Sequence, residues 1–217
     1  MNIEQARFNM IEQQIRPWDV LNLGVLELLA VVKREDFVPP EHRALAFVDT
    51  EVPLPGGQCM LAPKVEARIL QELAVHKHER VLEIGAGSGY MAALLAHRAQ
   101  QVTSLEIDPA LATFAAANLK RAGVMNANVL HADGANGLAA EGPFDVIVLS
   151  GSVAEVPETL LAQLKVGGRL AAIVGAEPVM RAVLLTRSGD HGLERTVLFD
   201  TVAQRLRNFP EPTKFHF

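Results

Sequence analysis

Val81-Leu82-Glu83-Ile84-Gly85-Ala86-Gly87-Ser88-Gly89-Tyr90 (VLEIGAGSGY) decides how the rest of this 217-residue chain is read. An apolar run of strand length ends in glycines at alternate positions, and an apolar helical pattern follows. A turn free of Cβ atoms bends sharply and lets a ligand approach its backbone. The first turn of the following helix adds unpaired N–H groups. A dinucleotide loop wants glycine at its sixth position, where this chain has Tyr90. Gly85, Gly87 and Gly89, with Ser88 between them, therefore suit a ligand without a diphosphate. Glu83 adds a carboxylate within reach of an amino group, which an acidic loop favours along with a sulfonium.

Two further acids fall at the ends of the next apolar runs. Glu106, in SLEIDP, lies where a strand-end acid accepts both hydroxyls of a ribose, with Ile107 beside it. Asp133 and Gly134, in HADG, occupy the matching edge of the following run, placed to read an adenine amino group. A single strand-end acid is more often a helix cap. Three at consecutive ends, the first carrying a glycine loop, are hard to explain by capping. The joint reading is a site for S-adenosylmethionine, with S-adenosylhomocysteine as product.

Outward from that site the periodicity alternates between 2 and 3.6. Strands are predicted at RVLEI, QVTSLEI, NANVLHAD, FDVIVLS and GGRLAAIVG. Helices are predicted at GYMAALLAHRA, DPALATFAAANLKRAG and PETLLAQL, and a terminal hairpin around GDHG. This implies an α/β, doubly wound, mostly parallel seven-stranded sheet of the Rossmann-like kind. Residues 1–76 read as a helical N-terminal extension with an active-site loop, and 77–217 as the cofactor-binding core, together one domain. Within the extension, helices are expected over 2–16, ended by Pro17, and over about 21–32. A loop is expected from Pro53 to Pro63, and a helix from Lys64.

Net charge −5 and a pI near 5.8 provide no basic field for nucleic acid or an acidic membrane surface. One cysteine excludes an internal disulfide and suits a reducing compartment. The most apolar run, Val20 to Val32, is interrupted by Asn22 and Glu27 and is too short to span a bilayer. The expected location is the cytoplasm, and the oligomeric state stays open.

VLEIGAGSGY, SLEID, HADG and FDVIVLSGSVAEVPETLLAQLKVGGRL, with REDFVPPEHRALAFVD and PLPGGQ upstream, together resemble the protein-L-isoaspartate O-methyltransferases. The resemblance implies a class I methyltransferase. Such enzymes convert isoaspartyl carboxylates of damaged proteins and peptides into methyl esters that collapse through a succinimide. Carried over, Glu83, Gly85, Gly87 and Gly89 would hold the methionine part of the cofactor, Glu106 the ribose, and Asp133 with Gly134 the adenine. Gln58 and its neighbours would cover the active site.

The loop GGQCMLAP departs from the family pattern of approximately G-Q-T-I-S-x-P. Cys59 stands at the threonine and Leu61 at the serine used toward the substrate carboxylate. Lys64 and Glu66 occupy the turn where relatives often carry histidine. A carboxylate is ionised at neutral pH, so methyl transfer to it requires no general base. Losing one charge-assisted hydrogen bond removes about 1.5–3 kcal/mol, or roughly 10- to 100-fold in rate. Ser150 or Ser152 is a candidate replacement, with Ser150 also a candidate at the cofactor.

Other candidates read more simply as structure. Cys59 has no histidine near it in sequence and reads as a small thiol. His76 and His78 read as a solvated turn rather than a metal site, and His131 as a strand residue. Arg205 and Arg207, in RLRNF, could bind a substrate carboxylate but read more simply as a solvated face. The alternatives left open are another substrate, including a small molecule, for the same fold, or a cofactor-binding module without catalysis.

Overall fold

The computed structural model describes residues 2–189 and 192–211. At its centre is a seven-stranded sheet ordered β5-β4-β3-β6-β7-β8-β9. Five strands run parallel: β3 (Arg80–Ile84), β4 (Gln101–Glu106), β5 (Ala127–His131), β6 (Phe144–Val153) and β7 (Leu164–Ala176). β8 (Val179–Arg187) and β9 (Leu193–Thr201) add an antiparallel edge. The expected terminal hairpin is thus present, with Asp190 and His191 of its turn outside the described residues. The chain leaves β3 toward β5 and returns to the other side of β3 at β6. Such a reversal opens a crevice at the carboxyl ends of the strands.

The two sheet faces are covered unequally. One packs against α3 (Pro63–Leu73), α4 (Tyr90–Ala96) and α5 (Pro109–Arg121), and the N-terminal helices α1 (Ile3–Asn9) and α2 (Leu23–Val31) extend the same hydrophobic cluster outward from α3. The other is covered by α6 (Glu158–Leu161), the 132–143 segment and Phe209. Helix α6 is shorter than the predicted span because Leu164 already enters β7. The Gln163 carbonyl accepts from Phe144 N–H and its amide caps the 136–138 turn.

Asn2 caps α1 by accepting from Gln5 N–H. The predicted 2–16 helix widens to a π-helical turn over Met10–Ile15, where five-residue spacing turns Met10 and Ile15 inward together. Ile3, at the start of α1, is exposed at 38% although it shares the helical face of Met10, Ile11 and Ile15 in the sequence pattern. The segment expected as a loop contains a small antiparallel hairpin, β1 (Val52–Leu54) with β2 (Gln58–Met60). Left-handed Gly56 and Gly57 make its tip, the conformation that glycine adopts most readily. Among the described residues, no helix is long and apolar enough to cross a membrane.

Candidate active site

The carboxyl ends of β3, β4, β5 and β6 converge on one pocket. Glu106 closes β4, buried at 6% exposure. One of its oxygens accepts from Gly87 N–H at 2.8 Å and the other from Asp108 N–H at 3.0 Å. The carboxylate therefore fixes the glycine loop while keeping spare lone pairs toward the pocket. Asp133 follows β5, exposed, and accepts from Ala135 N–H at 3.0 Å and Asn208 Nδ2 at 2.7 Å. Ile107, Gly134 and Ser150 line the same pocket.

The glycines differ in what they do. Gly85 and Gly87 line the pocket at φ +92° and +52°. A Cβ on Gly85 would lie 2.9 Å from Leu206. Gly89, at φ +83°, is not on the pocket wall; a Cβ there would meet the Ala115 backbone at 3.0 Å, so it sets the α4–α5 contact. A Cβ on Gly134 would lie 2.4 Å from Ile84 Cγ2, which leaves glycine as the residue that fits.

A cover closes the pocket from two sides. From upstream, the β1–β2 hairpin contributes Gln58 and Cys59. From downstream, residues 202–209 run back over the strand ends. β6 parts from β7 between Val148 and Ser152, and Ser152 N–H then donates to Gln204 O while Leu206 N–H donates to Ser152 O. Gln204 Nε2 donates to Gly57 O at 2.7 Å and Arg207 Nη2 to Gly56 O at 3.3 Å. The two covers are tied to each other as well as to the sheet.

Sequence reasoning missed this downstream wall. Leu206, Arg207 and Phe209 line the pocket, where the charge pattern of Arg205 and Arg207 suggests a solvated face. Arg205 pairs with Glu211 at 2.8 Å and Arg207 lies 3.9 Å from Asp108, so both guanidinia have carboxylate neighbours. Ser152 is also corrected as a candidate hydroxyl: it is fully buried and donates to Ala203 O at 2.7 Å, anchoring the wall. A signal existed in Gly151, where a Cβ would lie 2.8 Å from Leu206.

Behind the glycine loop lies a smaller chamber that shares Cys59, Gly85, Gly87 and Ser150 with the pocket. Leu61, Glu83 and Ser88 line this chamber rather than the outer pocket. Glu83 is fully buried and accepts from Ser104 Oγ at 2.6 Å and Ser150 Oγ at 2.8 Å. Burial pushes its carboxyl up to about 8, the serines oppose this, and neighbouring Glu66 and Glu106 add to it. Burial likewise raises Glu66 to about 7 against the pull of Arg34. Burial, then Glu51, pushes the Cys59 thiol up to about 12, so it stays protonated and is no nucleophile. Leu61 is buried at 6% exposure, and its carbonyl accepts from Arg34 Nη2 at 2.6 Å.

His131 Nε2 sits 3.2 Å from Ile107 O, on the outer edge. The His76 and His78 rings lie 5.9 Å apart. Among the described residues, no three His, Cys, Asp or Glu side chains gather as metal ligands would.

Comparison with known proteins places this geometry. The profile of the family described as Protein-L-isoaspartate(D-aspartate) O-methyltransferase matches residues 6–202. A protein-L-isoaspartate O-methyltransferase of Koribacter versatilis is 37% identical over 194 residues, covering 89% of this chain and 87% of that protein. Its counterpart in Rhodopseudomonas palustris is 41% identical over 192 residues, 88% of each. The fold is similar to a crystal structure from Plasmodium falciparum, described as that of a protein-L-isoaspartate O-methyltransferase in complex with S-adenosyl-L-homocysteine. The TM-score is 0.80 at 22% identity, with 93% of this chain and 98% of that one covered.

Proposed function

The chain belongs to the protein-L-isoaspartate O-methyltransferase family, and from that premise we propose that it esterifies isoaspartyl carboxylates of damaged proteins and peptides, using S-adenosylmethionine. The observation that carries this reading is the set of acids Glu83, Glu106 and Asp133 at three consecutive strand ends around the glycine loop. The residues present fit the cofactor. Glu106 keeps acceptor capacity that would take ribose hydroxyls, Asp133 and Gly134 would hold the adenine, and Ile107, Leu111 and Phe209 supply apolar walls. Gly85 and Gly87 leave room for the methionine end, with Glu83 and Ser150 behind them. When bound, S-adenosylmethionine supplies an electrophilic methyl group on a sulfonium.

The protein's own part is positioning. An isoaspartyl carboxylate is ionised at neutral pH, so no side chain has to remove a proton. The hairpin and the downstream wall exclude water, and the chamber orients the carboxylate oxygen, the kind of placement that contributes most when the reacting atoms are already competent. Gln58 and Cys59 form the edge over which the substrate enters. We place this activity in the cytoplasm, where the lone half-buried Cys59 stays reduced. Calorimetry tests the cofactor half directly: S-adenosylhomocysteine should bind and NADH should not, and equal affinity for the two would overturn the assignment.

A further inference from the structure

The inner chamber is more acidic than the proposed reaction requires. Glu66 and Glu83 both line it, with the protonated Cys59 thiol and, on α4, Tyr90. Arg34 is the cation against Glu66, at 3.5 Å; its guanidinium also reaches Ala46 O and Leu61 O and stands 5.6 Å from the Tyr90 ring centre. The other charges nearby are already engaged. Arg7 and Glu35 pair with each other, Glu106 holds backbone N–H groups, and Glu51 lies beside Cys59. The Tyr90 hydroxyl, 1% exposed as a residue, has no hydrogen-bond partner among the described residues. The chamber has about 20 Å³ of free space, enough for one water-sized group.

A carboxylate oxygen entering this space meets two acids, with the Arg34 guanidinium behind Glu66. If both acids were ionised the chamber would repel it, because like charges in a dry site interact strongly. If Glu66 holds a proton, the substrate carboxylate becomes the counter-charge of Arg34, and Glu66 turns from acceptor to donor. We propose that Glu66 binds the substrate carboxylate in its acid form, donating the hydrogen bond that Leu61 cannot, so that binding takes up one proton from solvent. This rests on the isoaspartyl reading and deepens it. Burial already holds Glu66 near 7, so the proton is available at neutral pH.

The test is calorimetry of an isoaspartyl peptide on the S-adenosylhomocysteine complex, in two buffers of different protonation enthalpy. At pH 7, below the range in which Glu83 titrates, the wild type should take up about half a proton, and its affinity should fall toward tenfold per pH unit above 7 and be flat below 6. Glu66→Gln keeps an N–H donor without titrating and should bind with almost no proton uptake at pH 7 and a flat profile up to that pH. Glu66→Ala should bind weakly at every pH. S-adenosylhomocysteine affinity checks that each variant is folded. Should Glu66→Gln fail that check, a carbon-13 titration of wild-type Glu66 decides, because its pKa should rise when peptide binds. Zero uptake by the wild type, an unmoved Glu66, or equal uptake in Glu66→Gln overturns the proposal. A complex that binds S-adenosylhomocysteine but no isoaspartyl peptide overturns the isoaspartyl reading itself, and this inference with it.

Discussion

The two halves of the site are built by different physics. The sheet half, Glu106 and Asp133 with the glycine loop, is held mostly by bonds within and between neighbouring strand-end turns, Gly87 and Asp108 N–H on Glu106 and Ala135 N–H on Asp133, with Asn208 reaching Asp133 from the cover. The cover half is held by contacts between residues far apart in sequence. Gln204 reaches Gly57, Arg207 reaches Gly56, and Arg34 reaches Glu66 and Leu61. The sheet half presents acceptors to a ligand; the cover half hides charge and excludes water. Local construction makes a binding edge that a motif can announce, whereas the cover exists only once the chain has folded back on itself.

The largest expected effect is on the cover. Arg34→Met removes a fully buried cation and leaves Glu66 buried and uncompensated. Unfolding stability at pH 8 should drop by about 3–5 kcal/mol, and by less at pH 5.5, where Glu66 carries its own proton. An equal loss at both pH values, by denaturant titration, would show that Glu66 is not what Arg34 compensates. On the sheet half, Glu106→Ala should weaken S-adenosylhomocysteine binding by about 2–4 kcal/mol, estimated from two hydrogen bonds to a charged acceptor. Unchanged affinity by calorimetry would remove Glu106 from the ligand edge.

The buried acid at the junction of the halves predicts a pH dependence. The folded pKa of Glu83, about 8, lies above its ordinary 4.5. Between those values the folded protein keeps a proton that the unfolded chain has lost. Stability therefore falls as pH rises through that window, by on the order of 2–3 kcal/mol between pH 6 and pH 8. Melting curves from pH 5 to 8.5 should show the fall in the wild type and a shallower one in Glu83→Gln; parallel curves would place the titrating group elsewhere. The smallest effect belongs to the hairpin. Leu61→Ser should raise methyl transfer to an isoaspartyl peptide by roughly 5- to 30-fold, about 1–2 kcal/mol. A slower variant would mean that Leu61 matters more as packing than as a missing hydroxyl.

The same contrast explains what could be read in advance. The strands β3, β4 and β5 and the acids around them follow from alternating apolar runs ended by Gly or Asp, a pattern that survives in any one segment of sequence. Glu83 was legible as an acid at a strand end, but its place behind the loop was not, because that depends on Ser104 and Ser150 from neighbouring strands. The downstream wall was illegible for a plainer reason. Residues 202–209 form neither a helix nor a regular strand, and Leu206 and Phe209 have no periodicity to betray burial. Their partners, Gly85 and Gly151, did carry a signal: glycines at two strand ends where something must approach closely.

Methyl transfer itself tests the central claim most directly. Radiolabelled S-adenosylmethionine is incubated at pH 6.5 with the protein and either an isoaspartyl peptide or the same peptide with a normal aspartyl residue. Base-labile, volatile label should appear with the isoaspartyl peptide and not with its aspartyl twin. Cofactor binding without label on either peptide, or label on both alike, would contradict the account.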